Sequence, residues 1–461
     1  MYQIDFKKPE HVYFIGIGGI SMSGLAQILL KAGFLVSGSD AKASHLTEQL
    51  EENGATVYYG QRAENISSQK DIAVVVYTAA IHPDNPEFAA AKELGIPMLT
   101  RAELLGELMN NYRQSVAISG THGKTTTTSM VAEMLLAGEE DPTISLGGIL
   151  KDMGGNIRVG GSDLFVAEAC EYTNSFLSFN PTLEVILNIE ADHLDFFKDI
   201  EDIRHSFRLF AEKLPKEGLL VINSAIPNVE ELIKGLPCRI VTFGPNLDST
   251  YTATNITYDE FARASYDLVV QGEIVNRVTL GVPGEHNVYN SLAAIAVVLE
   301  LGLGFDAVMA GLRKFSGTER RFEKKGEIGG VTIIDDYAHH PQEIAATLAA
   351  AKNYPHRKLW CVFQPHTYTR TKAFFNEFAE SLAAADEVIL ADVYAARETD
   401  RLGVSCEELA AKIRAHGTQA HFIASFDEIE TFVLEHCESG DVLITMGAGD
   451  IVRVGEKLLG E

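Results

Sequence analysis

"GTHGKTTTTSM" spans residues 120–130, and its reading decides the rest. It resembles a phosphate-binding loop but is too short, which leaves a broken motif, a chance match or a different version of the same device. The common pattern G-x-x-x-x-G-K-[ST] aims backbone N–H groups and a helix N-terminus at phosphate oxygens. Counting back from Gly123-Lys124-Thr125 places Ile118 where the first glycine belongs; the nearest glycine is Gly120, so the loop reads G-x-x-G-K-T. Its flanks suit the device. "SVAIS" (115–119) reads as a buried strand, and a helical pattern follows through Met134-Leu135. Gly123 then lets the backbone approach phosphate, Lys124 reaches the β/γ oxygens, and Thr125 offers its hydroxyl to Mg²⁺. Four successive threonines are poor interior helix formers but cost less in a first turn beside a ligand.

Outward from this loop, short apolar runs alternate with helical stretches almost from end to end, which predicts α/β architecture with mainly parallel sheets. In the first hundred residues the expected strands are "HVYFI", "FLVSG", "TVYY", "IAVVVY" and "IPMLT", with helices over 21–32 and 86–94 and an exit helix over 102–111. The middle of the chain carries "LFVAEA", "EVILNIE", "GLLVIN", a strand-like stretch from "RIVTF" to "NRVTLGVPG", and a helix from Asn287 to about Leu301. "VTIIDD", "KLWCVFQ", "EVILAD", "AHFIAS" and "DVLITMG" form a third group. At 461 residues, about three domains are expected.

The net charge of −26, from 38 Lys+Arg against 64 Asp+Glu, argues against a nucleic-acid binder, whose affinity rests on basic side chains. The five cysteines are scattered and form no C-x-x-C, which fits a reducing cytoplasm rather than a disulfide framework or zinc site. The N-terminus carries charges where a signal peptide needs an apolar core, and no apolar run approaches a membrane span; Glu300 interrupts the nearest, 291–304.

Several clusters carry chemistry. "FIGIGGISMSGLA" is a partial dinucleotide fingerprint with Gly16, Gly18 and Gly19, but Ser21 stands where the third glycine belongs; Asp40 closes the second strand, where an acid often binds ribose hydroxyls. A nicotinamide-binding domain reads similarly. Glu168 follows a buried-looking strand with Glu171 three residues on, and Asp192, His193 and Asp195 follow another. Ligands in α/β sheets sit at the carboxyl ends of strands, so Thr125, Glu168 and His193 are expected to converge on Mg²⁺ beside the loop. Asn287 and Asn290 lie one helical turn apart and can read a purine edge, although asparagine also caps helices. Arg320 and Arg321 in "GTERRFE" suit phosphate across an interdomain cleft, or form an exposed basic pair. "IIDDYAHHPQE" and "VFQPHTYTRTKAF" both have the form of loops facing a site, carrying Asp335, Asp336, His339, His340, His366, Arg370 and Lys372.

Taken in order, G-x-G-G, G-T-H-G-K-T-T-T-T, E-A-x-E, N-I-E-A-D-H-x-D, G-x-H-N-x-x-N, R-R-F, D-D-Y-A-H-H-P and F-Q-P-H-x-Y-T-R resemble the Mur ligase family over nearly the whole chain. In that family the shortened loop is the normal form. The resemblance implies three domains. A Rossmann-like unit, 1–111, would hold the UDP of a UDP-N-acetylmuramate substrate with Gly16, Gly18, Gly19, Ser23, Asp40, Thr78 and Ala79. A central P-loop unit, 112–316, would bind ATP through Gly120, Thr121, His122, Gly123, Lys124, Thr125, Thr126, Asn287 and Asn290. It would hold Mg²⁺ with Thr125, Glu168 and His193. A Rossmann-like unit, 317–461, would bind the incoming L-alanine and bring Arg320 and Asp336 to the ATP. Lys124, His193, His339 and Arg370 are the implied catalytic set. The implied enzyme joins L-alanine to the lactyl carboxylate in the cytoplasm, as a monomer or homodimer, without nucleic-acid partner or membrane insertion.

Departures from the family pattern are Ser21, "YTAA" (77–80), Cys170 in place of an Asp, and Thr367 in place of an Arg. Arg208 stands where several relatives carry a carbamoylated lysine, so that modification is not expected. The competing readings are a sibling ligase adding another amino acid or a peptide, a nucleotide-binding regulator, and an NAD-dependent oxidoreductase.

Overall fold

The β-branched runs and helical stretches assemble, among the described residues, into three separate sheets of five, ten and six strands. The computed structural model describes residues 2–78, 81–150, 153, 155–396 and 398–460. The first sheet comprises β1 (His11–Ile15), β2 (Leu35–Asp40), β3 (Thr56–Tyr59), β4 (Ile72–Tyr77) and β5 (Met98–Thr100). Its order is β3-β2-β1-β4-β5, all parallel. The order reverses between β1 and β4, which opens a crevice at their carboxyl ends.

The second sheet is built on β6 (Gln114–Ser119), the strand that feeds the phosphate loop. It continues with β7 (Thr143–Leu150), β8 (Gly155–Arg158), β9 (Leu164–Ala169), β10 (Leu183–Ile186), β11 (Leu219–Asn223), β12 (Arg239–Phe243), β13 (Tyr251–Tyr258), β14 (Arg263–Val270) and β15 (Glu273–Pro283). β6 lies between β9 and β10, parallel to both, so the ends of all three strands open on one edge. An antiparallel meander, β13 to β15, extends one side. The run "EVILNIE" leaves the sheet at Ile186, because Asn188 and Glu190 turn to hydrogen-bond the phosphate loop.

The third sheet comprises β16 (Glu323–Ile328), β17 (Val331–Asp336), β18 (Leu359–Phe363), β19 (Glu387–Leu390), β20 (Gln419–Phe422) and β21 (Val442–Met446). Its order is β16-β17-β21-β18-β19-β20, parallel except at the β16 edge.

One apolar cluster runs from Val12, Phe14 and Leu29 of the first unit to Phe165, Phe207 and Phe210 of the second, so these two share a core. The helix Ile20–Lys31 docks on β8, and its Lys31 Nζ donates to the carbonyls of Val159 and Gly160 at 2.9 and 3.2 Å. The approach requires Gly24, since a Cβ there would collide with the Ile157 side chain.

Candidate active site

The phosphate loop is held from below. Asn188 is the clamp: its Oδ1 accepts from His122 N at 2.8 Å, its Nδ2 donates to His122 O at 3.1 Å, and its carbonyl accepts from Thr121 N at 3.2 Å. Glu190 N donates to Thr121 Oγ1 at 2.9 Å. Gly123 turns the chain into the helix Lys124–Ala137 at φ +83°, a conformation that favours glycine, and a Cβ there would meet Asn290 Oδ1 at 2.5 Å. Thr125, Thr127 and Thr128 are buried in the first turns, and Thr128 Oγ1 donates back to Lys124 O, which satisfies the buried hydroxyl.

Lys124 Nζ donates to Glu171 Oε2 and Thr121 O, both at 3.0 Å, and to Gly120 O. Burial opposes its charge, but Glu171 leads the groups that hold the ammonium up at about 12. Thr125 Oγ1 donates to Glu168 Oε2 at 3.1 Å, and Gly147 N donates to Glu168 Oε1 at 2.7 Å. Burial raises the Glu168 carboxyl above its ordinary range.

Thr125 and Glu168 therefore meet in a hydrogen bond at the strand ends, and His193 lines the same cavity. Its ring stacks on Tyr172 at 4.5 Å, and Nε2 lies 3.7 Å from Glu171 Oε1. A left-handed backbone turn at φ +53° aims it there, and burial lowers its pKa, so the imidazole is neutral. Among the described residues no three His, Cys, Asp or Glu side chains form a ready metal cage. The donor set nevertheless suits Mg²⁺: the hard oxygens of Thr125 and Glu168 line one cavity with the His193 imidazole.

A cavity of about 310 Å³ opens beside the loop, lined by Gly123, Asn287, Asn290, Phe315, Arg321 and Asp336 among others. The two amides share a face as the spacing predicted: Asn290 Nδ2 donates to Asn287 Oδ1 at 3.0 Å, and Asn287 Nδ2 to Pro283 O at 2.7 Å. The two arginines divide their work. Arg320 is committed internally, with Nε on Asp335 Oδ2 at 2.9 Å and its other nitrogens on the carbonyls of Gly449 and Gly447. Both arginines line the cavity of the phosphate loop, and Arg321 alone of the two also lines the cavity of about 310 Å³. Asp336 spends both oxygens on backbone, accepting from Phe322 N and Ala338 N at 2.7 Å each, and burial pushes its carboxyl up to about 6.

Across the cleft, a second cavity is lined by Asp192, His193, Tyr337, His339, His366 and Arg370, among others. Arg370 bonds Asp192 Oδ1 through Nε and Nη2 at 3.2 and 3.0 Å, and its Nη1 meets His366 Nδ1 at 3.2 Å. Burial opposes the Asp192 charge, but Arg370 holds that carboxyl well below the usual range. His339 Nδ1 meets Tyr337 O at 3.0 Å, and burial takes its imidazole down to about 4. Thr367 caps the helix Tyr368–Ala373 from a backbone at φ +63° and ψ 144°, an outlier for a β-branched residue of the kind found at ligand sites. Asp192, His193, Tyr337 and His339 also line the cavity that holds Lys124, Thr125 and Glu168.

His122 lines both cavities beside the phosphate loop. Its imidazole is committed to two carboxylates, with Nδ1 3.0 Å from Glu343 Oε1 and Nε2 3.2 Å from Glu190 Oε2. Sequence reading also passed over Asn188, Glu190 and Glu343; the one available signal was a polar residue just past a buried strand or opening a helix.

In the first unit, Gly16, Gly18 and Gly19 form the turn after β1. Gly18 N donates to Asp40 Oδ2 at 2.8 Å, so Asp40 braces this turn. Ser23 is buried and donates to Ile20 O at 3.0 Å, because it sits one turn inside the helix. Thr78 follows β4 at the crevice, and Ala79 lies outside the described residues. Arg208 reaches the carbonyls of Leu232 and Lys234 at 2.6 and 2.8 Å.

Three family models match in series: the Mur ligase family catalytic domain over residues 11–113, the Mur ligase middle domain over 118–298, and the Mur ligase glutamate ligase domain over 320–449. The chain belongs to the Mur ligase family and is an enzyme of the ligase class. It is 61% identical over 460 residues, the full length of both chains, to the UDP-N-acetylmuramate–L-alanine ligase of Lachnospira eligens. It is 50% identical over 459 residues to the ligase of the same name from Caldanaerobacter subterraneus, covering 100% of this chain and 99% of that one. Among solved structures it is similar to the UDP-N-acetylmuramate–alanine ligase of Thermotoga maritima, with a TM-score of 0.80 at 30% identity and 98% of each chain covered. A murein peptide ligase from Psychrobacter arcticus aligns with a TM-score of 0.70 at 25% identity, again over 98% of each chain.

Proposed function

We propose that the chain joins L-alanine to the lactyl carboxylate of UDP-N-acetylmuramate, using ATP and passing through an acyl phosphate, in peptidoglycan precursor synthesis. The observation that carries this reading is the shared wall. Asp192, His193, Tyr337 and His339 line both the cavity of the phosphate loop and the cavity of Arg370. A phosphate donor on one side and an amine acceptor on the other would meet there.

A carboxylate is a poor electrophile, so the chemistry needs activation. The lactyl carboxylate attacks the γ-phosphate, ADP leaves, the alanine amine attacks the acyl carbon, and phosphate is expelled. The first step brings two anions together. Lys124, charged and buried, neutralises part of the γ-phosphate, and Arg321 brings a second cation from the third unit. Thr125 and Glu168, with His193 on the same cavity wall, would hold Mg²⁺, which when bound would spread the charge of the phosphates. Asn287 and Asn290 receive the base. Arg370 and neutral His339 position the acceptor, and closure of the third unit over the loop excludes water that would hydrolyse the intermediate.

Residues 1–111, 112–316 and 317–461 would thus hold the UDP substrate, ATP and the amino acid in turn. Each residue of this scheme comes from one chain, so a monomer suffices and a homodimer is compatible. ATP as a substrate places the reaction in the cytoplasm. The decisive assay is ADP release, expected only when UDP-N-acetylmuramate and L-alanine are both present. Release that needs a peptide in place of L-alanine would assign the chain to the sibling activity, and no release under either condition would overturn the ligase reading.

A further inference from the structure

Glu343 opens the helix Pro341–Lys352 of the third unit, yet it is wired into the phosphate loop of the second. Its Oε2 accepts from His339 N at 3.0 Å and His340 N at 3.3 Å, and lies 3.3 Å from His339 Nδ1. Its Oε1 bonds His122 Nδ1 at 3.0 Å. One buried carboxylate thus joins the second residue after Gly120 to the histidine pair on the acceptor side. The groups facing this junction include Glu190 and His286 from the second unit and His339, His340, Arg321 and Asp336 from the third. His340 packs its ring 5.0 Å from that of His122 and reaches Ala191 O at 3.2 Å.

Burial works against both partners' charges. Even so, Glu343 and Glu190 carry His122 up to about 10, and the His122 cation draws Glu343 well below the carboxylate range. A charged pair at this depth is held by its partners and is costly to leave half-made. The contact can exist only while the third unit is seated on the loop.

We propose that the His122–Glu343 pair is the clasp that sets the phosphate loop against the acceptor-side histidines, making Glu343 a positioning residue for phosphoryl transfer. It acts through His122 and through the backbone of His339. The clasp rests on the ligase reading above, but the two fail separately: substrate-dependent ADP release by the unaltered enzyme tests the reading, and a mutant cycle tests the clasp.

The cycle comprises Glu343→Gln, His122→Gln and the double variant, with kcat and both KM values measured for each. Glutamine can still accept from the backbone N–H groups at the helix start, so Glu343→Gln keeps the cap and removes the charge. Each single variant is expected to lose about 10²-fold in kcat, with the KM for ATP changed less than about threefold. The double variant should be no more than about threefold slower than the slower single one, because each change breaks the same contact. Losses that multiply in the double variant would overturn the clasp, and so would losses confined to KM or to thermal stability. If Glu343→Gln does not fold, Glu343→Asp replaces it under the same criteria; its shorter arm keeps the charge but withdraws it from His122.

Discussion

At the scale of single residues, the adjacent cations of the site have different fates. Lys124 is buried, charged and in hydrogen-bond contact with Glu171. Lys124→Ala is expected to lower kcat by at least about 10²-fold, read as ADP release; substantial remaining ligation would remove it from phosphate binding. Arg320 and Arg321 separate by role. Arg321→Ala should raise the KM for ATP while leaving the unfolding midpoint near that of the unaltered protein. Arg320→Ala should lower stability by about 3 kcal/mol, since it strands the fully buried Asp335, and this is measurable by urea unfolding. A sequence displays two neighbouring arginines as equivalent, and only packing shows that Arg320 is tied to Asp335 and two carbonyls while Arg321 reaches further into the cavity beside the loop. The phosphate loop was legible because its chemistry is local, with strand, glycine, lysine and hydroxyl within a dozen residues. Asn188, Glu190 and Glu343 were not, because each acquires its role from a partner more than sixty positions away.

At the scale of elements, the buried parallel strands could be read almost end to end, since a strand covered on both faces is a continuous apolar run. β16 was missed because "EKKGEI" is a charged edge strand, and β8 because "GNIR" has no apolar run at all. β10 hides an exception to the apolar rule. Glu184 sits in its middle, fully buried, with neither carboxylate oxygen hydrogen-bonded among the described residues, and burial raises its pKa well above the ordinary value. The folded chain therefore keeps this proton at a pH where the unfolded chain has lost it. The group's contribution is fully present below the unfolded carboxyl pKa and falls as pH rises toward the folded one. Glu184→Met should stabilise the protein by about 1–3 kcal/mol at neutral pH. The gain over the unaltered protein, from urea unfolding at pH 5 and pH 8, should be larger at pH 8; an equal gain at both would disprove the protonated state.

At the scale of the whole molecule, the units adjoin in two different ways. The first and second share an apolar core, and the helix Ile20–Lys31 seats on β8 through Gly24. Gly24→Val should unseat that helix and, because the crevice turn at Gly16–Gly19 leads into it, raise the KM for the UDP substrate with the KM for ATP unchanged. Equal effects on both would show that the seat serves general stability instead. The sequence could announce three α/β units, but the seams between them depend on surfaces that no periodicity records.

The second seam is polar. The second unit offers a cation at His122 and an anion at Asp192, while the third offers an anion at Glu343 and a cation at Arg370. The two faces are therefore keyed like a two-pin connector with unlike pins. Turned end for end, the third unit would bring cation to cation and anion to anion, which several kcal/mol of repulsion forbids. Orientation is thus decided by sign before shape, so the third unit can swing open and still return to a single alignment over the reacting groups.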